Sequence, residues 1–228
     1  MENKKYEMLM DDSVTVEYEN ETHTLYRIRA LRDFGNISKG TIGGYIESEK
    51  NLSHKGNCWV GGDAIVADNA RVHGDCWVAG NARVHGDCCV DGNAEVHGNA
   101  EVYGNAEVYG NVEVYGWAEV YDNAEVHGNV KVYGDCRVYG QARVHGNASL
   151  GKDAEVKSIE DYIVFKNWWS SGRYFTWTRS NNMWKVGCFY GTGEELIKKA
   201  YADSERSGRE YERIVKYVEE ILRDGRQE

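Results

Sequence analysis

Ten aromatic residues, four bases and no acid fall within residues 162–193, "YIVFKNWWSSGRYFTWTRSNNMWKVGCFYGTG", of a chain whose formal charge is −10. Residue types of this kind suit a planar, phosphorylated ligand. Trp and Tyr faces stack on bases at ~1–3 kcal/mol per base, and arginines grip phosphates through paired charge-assisted hydrogen bonds. Asn and Ser read polar edges. The candidate ligand-binding set is Lys166, Trp168, Trp169, Arg173, Tyr174, Trp177, Arg179, Asn181, Asn182, Trp184 and Lys185. Packing is the competing reading. A module of roughly 70 residues has little core available, and aromatic side chains are an economical way to build one. On that reading Trp168, Trp177 and Trp184 are core, while the four bases with Asn181 and Asn182 are left for a ligand.

Elsewhere the chemistry is sparse. His127 and His145 stand eighteen residues apart and offer two imidazoles without a third metal ligand. Six cysteines occur without CxxC pairing, as in a reducing compartment. Cys58 and Cys76 are likewise eighteen apart; filling the core with small residues and a disulfide both fit them. No catalytic set, metal set or cofactor is expected.

The elements that must position these groups are read from a repeat. From Val60 to Val156 an aliphatic residue recurs every sixth position, seventeen times without a slip. A small residue lies two before it, and Gly, usually followed by Asn or Asp, lies two after. In A-x-V-x-G-N the alternation puts the small residue and the valine on one side and both x positions on the other. Gly-Asn supplies a corner that tolerates positive φ. A short strand and a corner, many times over, make a β-solenoid, because each strand buries its face only on the next coil. Proline is absent, in keeping with a chain built from ladders in which each proline would delete a donor.

A period of six resembles the left-handed parallel β-helix, with three hexads to a coil. Five to six coils at ~4.8 Å each give a prism roughly 25–30 Å long. Residues eighteen apart should then stack. Before the valine the columns read Trp59-Trp77-Glu95-Glu113-Lys131, Ile65-Arg83-Glu101-Glu119-Arg137 and Arg71-Cys89-Glu107-Glu125-Arg143. After it they read His85-Tyr103-Tyr121-Tyr139, His97-Tyr115-Tyr133 and His73-Asp91-Tyr109-His127-His145. Cross-coil stacking on a solvated surface is one expectation. A subunit interface built on Tyr103, Tyr121, Tyr139, Tyr115 and Tyr133 is another, with a dimer or trimer as the product.

The expected class is mainly β: a left-handed parallel β-helix, an N-terminal β cap and a small C-terminal α+β module. Residues 1–57 form a hairpin turning at "ENE" and an irregular first coil with Ile42 in register with Val60. Residues 58–157 are the solenoid. Residues 158–228 give three short strands, turning at "SSG" and "SNN", then two helices opened by the capping boxes Thr192/Glu195 and Ser207/Glu210. Most of the acidic surplus belongs to the solenoid, with 7 bases against 15 acids, compared with 8 against 10 before it and 12 against 12 after it. No apolar run approaches the ~20 residues of a membrane span, and the N-terminus has no secretory pattern; a cytoplasmic protein is expected.

The run "TLYRIRALRDFGNISKGTIGGYIESEKNLSHKGNCWV", the repeats after it and the C-terminal "VGCFYGTGEELIKKA" resemble a family of hexapeptide-repeat proteins of phages and prophages. These are usually described as hexapeptide transferases or left without a function. The resemblance covers nearly the whole chain. It implies a viral or prophage origin and a place in the cytoplasm of a bacterial host, and it brings no catalytic residues. Hexapeptide acyltransferases are similar in fold but put Gly, Ala, Glu or Asp directly after the aliphatic residue, where this chain has mostly Tyr or His.

Three functions follow as expectations. The first is a phage-encoded, non-enzymatic binding protein that sequesters a nucleotide-type signal of host immunity or a host factor. The second is an acyl- or acetyltransferase using acyl-coenzyme A in a groove between subunits, with a histidine such as His97 or His127. The third is a structural or decoy scaffold that binds a host protein through its acidic faces. Duplex DNA and membranes are not expected partners.

Overall fold

The computed structural model describes residues 4–18, 20–169 and 171–224. Glu19 of the expected "ENE" turn and Ser170 of the expected "SSG" turn lie outside them. The chain forms two compact units, Met1–Asp161 and Tyr162–Glu228. No helix among the described residues is long and apolar enough to cross a membrane.

Unit one is a parallel β-solenoid of about six coils. Its strands are two to four residues long and fall into three sheets. Every expected column is observed. Val60, Val78, Val96, Val114, Val132 and Leu150 pair in sequence along one sheet. All of these aliphatics are fully buried, as are small residues such as Ala64, Cys76 and Ala106. Each coil hydrogen-bonds to the next along the axis, as in Trp77 N–H to Ala94 O at 2.9 Å and Glu95 N–H to Val112 O at 2.8 Å. Corners need positive φ and closeness at once. Gly110 has φ +89°, and a Cβ there would stand 3.0 Å from both N and O of Gly128 in the next coil. Asp68, Asp122 and Lys152 occupy corners where most copies of the repeat have Gly, at φ +53°, +58° and +53°.

The N-terminal hairpin pairs Tyr6–Tyr18 with Glu21–Ala30, with an irregularity between Leu9 and Ser13. Glu21–Ala30 pairs antiparallel with Ile42–Ile46, which runs parallel to Ile65–Val66. The hairpin thus extends one solenoid sheet to nine strands. Here the register expectation fails. Ile42 is 50% exposed and pairs with Arg29. Ile46 and Leu52 take the core places instead, opposite Val66 and Val72. Those pairs are twenty residues apart, whereas Asn57 meets Asp75 at eighteen. Two extra residues in the corner around His54 produce the shift. Buried Asn51 stitches the coil by donating Nδ2 to Asp68 O and Ala70 O at 3.0 and 2.9 Å. Fully buried Lys5 donates Nζ to Cys58 O at 2.7 Å, and burial lowers its pKa.

Unit two has four antiparallel strands rather than three: Tyr162–Lys166, Tyr174–Thr178, Met183–Val186 and Phe189–Gly191. Gly187, at φ +57°, splits the expected last strand. Helix α1, Gly193–Asp203, starts with the expected Thr192/Glu195 capping box. Helix α2 spans Glu205–Asp224 and begins earlier than expected. Ser204, not Ser207, serves its first turn, accepting from Ser207 N–H at 3.1 Å. Register puts Phe175 and Trp177 beside Val186 and Trp184. They pack with Leu196, Val215 and Val218 of the helices.

Candidate functional site

The aromatic–basic segment divides in two. Trp177 and Trp184 are 1% and 2% exposed and belong to the module's core. Asn182 accepts from Trp177 Nε1–H at 2.9 Å. Asn181 accepts from Thr178 Oγ1–H at 2.6 Å and donates to Tyr190 Oη at 3.0 Å. Both asparagines thus build the turn after Thr178. A cavity of about 280 Å³ is lined by Trp177, Asn182, Trp184 and the start of α1, with Glu194 and Glu219 and none of the four bases.

The bases are not gathered at one place. Arg173 and Arg179 flank the two ends of the Tyr174–Thr178 strand, and six residues of extended chain separate them by about 20 Å. Lys185 lies opposite Thr176 and Tyr190, on the sheet face away from Trp184. Exposed groups do cluster at the hairpin end before Tyr174. Trp168 is 79% exposed and meets Trp169 edge-on at 6.2 Å. Trp169 packs edge-on against Tyr211 at 5.9 Å. Lys166 lies over the Tyr174 ring at 6.0 Å, and exposed Arg173 accepts Asn167 N–H at its carbonyl, 2.7 Å away.

On the solenoid the aromatic columns are stacked on themselves. Successive rings from His85 through Tyr103 and Tyr121 to Tyr139 are 5.2, 4.9 and 5.2 Å apart. His97, Tyr115 and Tyr133 follow at 5.2 and 5.4 Å, and His127 stacks on His145 at 5.5 Å. Tyr103, Tyr115, Tyr121, Tyr133 and Tyr139 are half-buried. The glutamate pairs 95/113, 101/119 and 107/125 are in register. Bases border them: Lys131 holds Glu113 at 2.6 Å, Arg143 reaches Glu125 at 3.5 Å, and Arg137 reaches Glu119 at 3.8 Å. Each column thus ends its glutamate pair on a base, while the solenoid as a whole keeps an acidic surplus. All six cysteines are free thiols.

A further constellation lies where the hairpin meets the first coils, and the sequence reading missed it. His23 Nδ1 is 3.3 Å from Glu47 Oε1 and 3.2 Å from Asp68 Oδ1. Each carboxylate is oriented through its other oxygen. Glu47 Oε2 accepts Asp68 N–H at 2.6 Å, and Asp68 Oδ2 accepts Gly86 N–H at 2.9 Å. His85 Nδ1 is 4.0 Å from Asp68 Oδ2. Burial pushes the His85 imidazole down to about 4, although the Asp68 carboxylate pulls the other way. Tyr18 stacks on His85 at 3.9 Å. Burial pushes the Tyr18 phenol up to about 12, and its buried hydroxyl has no hydrogen-bond partner among the described residues. A cavity of about 270 Å³ opens here between Tyr18, Glu21, His23, Asp68, His85 and Tyr103. The one visible signal in the sequence is Asp68, an acid at a glycine corner.

No protein-family model matches the chain. Over 55 residues it is 36% identical to the "Uncharacterized acetyltransferase YdcK" of Escherichia coli (strain K12). That stretch is 21% of this chain and 17% of the relative. The chain is thus similar, over about a fifth of its length, to a protein bearing an acetyltransferase name, and it spans under a fifth of that protein.

Proposed function

We propose that the protein is a non-enzymatic binding protein whose C-terminal module recognises a partner through the hairpin end from Lys166 to Tyr174. One observation carries this reading: Trp168 stands 79% exposed in a segment that has bases and no acid. A large exposed indole beside cations is the composition of a binding anchor, since Trp, Tyr and Arg dominate interface energetics. The form of the group selects the partner class. Small ligands are enclosed in concave, largely preformed pockets, whereas Trp168 projects outward and no residue from Lys166 to Tyr174 lines the 280 Å³ cavity beside Trp177. A host protein with an acidic surface and an apolar pocket fits better than a sequestered nucleotide. The resemblance to phage and prophage proteins supports a bacterial cell as the setting.

The test is affinity capture from bacterial lysate on the immobilised full chain, beside a Trp168→Ala/Arg173→Glu variant with unchanged circular dichroism. The expected result is an acidic protein retained by the parent and lost from the variant. Equal capture by both defeats the assignment, and so does a nucleotide adduct, unaffected by the variant, in native mass spectrometry. A second reading, acyl transfer, is supported by the 55-residue likeness to an acetyltransferase-named protein. It requires acyl-coenzyme A turnover by the purified chain.

A further inference from the structure

We propose that His23, Glu47 and Asp68 bind one divalent ion of the zinc class, with a remaining coordination position facing the cavity beneath Tyr18 and His85. The proposal is independent of the hairpin of the second unit.

Geometry is the main support. Ligand atoms about 2.0–2.1 Å from a tetrahedral zinc stand about 3.3 Å from one another. The two nitrogen–oxygen separations at His23 are 3.2 and 3.3 Å, and the three donor atoms all lie within 4.8 Å of each other. One imidazole and two carboxylates form a donor set that suits zinc better than calcium or magnesium, which favour all-oxygen shells. The carboxylates are also held as ligands should be. Each spends its second oxygen on a backbone N–H, the outer contact that fixes ligand orientation in metal centres.

The donors are anchored on separate elements, so the arrangement is not a by-product of the repeat. His23, 9% exposed, comes from the hairpin strand Glu21–Ala30. Glu47 follows the strand Ile42–Ile46, and Asp68 is a coil corner. Asp122 provides an internal comparison. It occupies the same corner position at φ +58° and accepts Gly140 N–H through Oδ2 at 3.1 Å. A corner aspartate therefore needs only one oxygen for the solenoid, and at Asp68 the other is turned to His23. Three protein ligands with a position open to a 270 Å³ cavity resemble zinc sites that retain a water rather than closed structural sites. Glu21 and Asp87 at the cavity wall add negative potential for a cation, against Arg83 nearby.

The competing arrangement is a protonated His23 bridging two carboxylates with no ion. Full-length protein, stripped with chelator and dialysed, is titrated with zinc chloride by calorimetry and with cobalt(II) by visible spectroscopy. The expected result is one ion per chain and a cobalt spectrum without the near-ultraviolet thiolate band. Loss of even an outer-shell contact commonly costs about 10–100-fold in affinity, so Glu47→Gln and His23→Ala should weaken binding at least tenfold. Asp122→Asn should leave it unchanged. Glu47→Gln keeps side-chain size, so the result stands even where His23→Ala fails to fold. The site is overturned by absence of stoichiometric binding, by a thiolate band, or by binding indifferent to Glu47→Gln.

Discussion

Val108 and Trp184 are both almost wholly buried, yet they are kept so by different means. Val108 lies between Val90 and Val126, each the same residue in the same place one coil away. Its surroundings follow from its position within the hexad, and neighbouring coils alone secure it. Trp184 lies beside Trp177 on the next strand and within a cluster that draws on both helices. The solenoid repeats one local solution, whereas the module depends on contacts between distant parts of its sequence. Regularity makes the solenoid readable and leaves it little that is unique. Arrangements that do not repeat occur where regularity stops, at the hairpin junction and in the second unit.

The sharpest way to break the contrast is a charge in the column. Val108→Asp places an unpaired carboxylate amid apolar neighbours, and a cost above ~4 kcal/mol is expected. That is a large part of the usual 5–15 kcal/mol total, so the variant should lose cooperative thermal unfolding in circular dichroism. Trp184→Ala comes next, at ~3–5 kcal/mol, read from urea midpoints. Trp168→Ala should stay within ~0.5 kcal/mol, because its indole is already in water; a large loss there would move it from binding anchor to core.

Corner glycines give a middle-sized effect. Gly110→Ala meets backbone at 3.0 Å in the next coil, whereas a Cβ at Gly146 meets nothing within 4 Å. Both have positive φ, so both carry the left-handed strain of ~1 kcal/mol. Gly110→Ala should cost at least another ~1 kcal/mol for the clash, and equal urea midpoints for the two variants would contradict coil-to-coil contact as its source. The smallest effect is chemical. Cys188 is exposed and Cys89 half-buried, while Cys58, Cys76, Cys88 and Cys136 are buried. Burial pushes the Cys76 and Cys88 thiols up to about 12. Labelling of the native protein with a thiol reagent should modify Cys188 quickly, Cys89 slowly and the other four only on unfolding.

Within the solenoid almost everything was legible, down to which glutamate faces which arginine, because the eighteen-residue period admits one register. Legibility ended at the first coil. Ile42 fits the arithmetic of the hexad, but two extra residues around His54 move Ile46 and Leu52 into the column, and only an eight-residue step from Leu52 to Val60 marks the insertion in the sequence. The His23 site was hidden for a related reason. Its three donors are 24 and 21 residues apart and meet only because the hairpin folds onto the first coils. In the second unit, the sequence shows which residues are aromatic or basic but not which strand face each occupies. The pairing of Trp177 with Trp184 against the helices decides that.

The register of the coils also bears on how such a chain can change through descent. Removing residues 111–128 joins Gly110 to Asn129 and leaves every valine in line, with the prism shorter by ~4.8 Å. Glu95, Glu101 and Glu107 would then face Lys131, Arg137 and Arg143 directly, exchanging three like-charge neighbours for three opposite ones. A gene for this molecule can therefore lose or duplicate an eighteen-codon unit in one recombination event and still encode a folded column. Length is its most easily inherited variable, while the hairpin junction and the C-terminal hairpin cannot be copied in the same way.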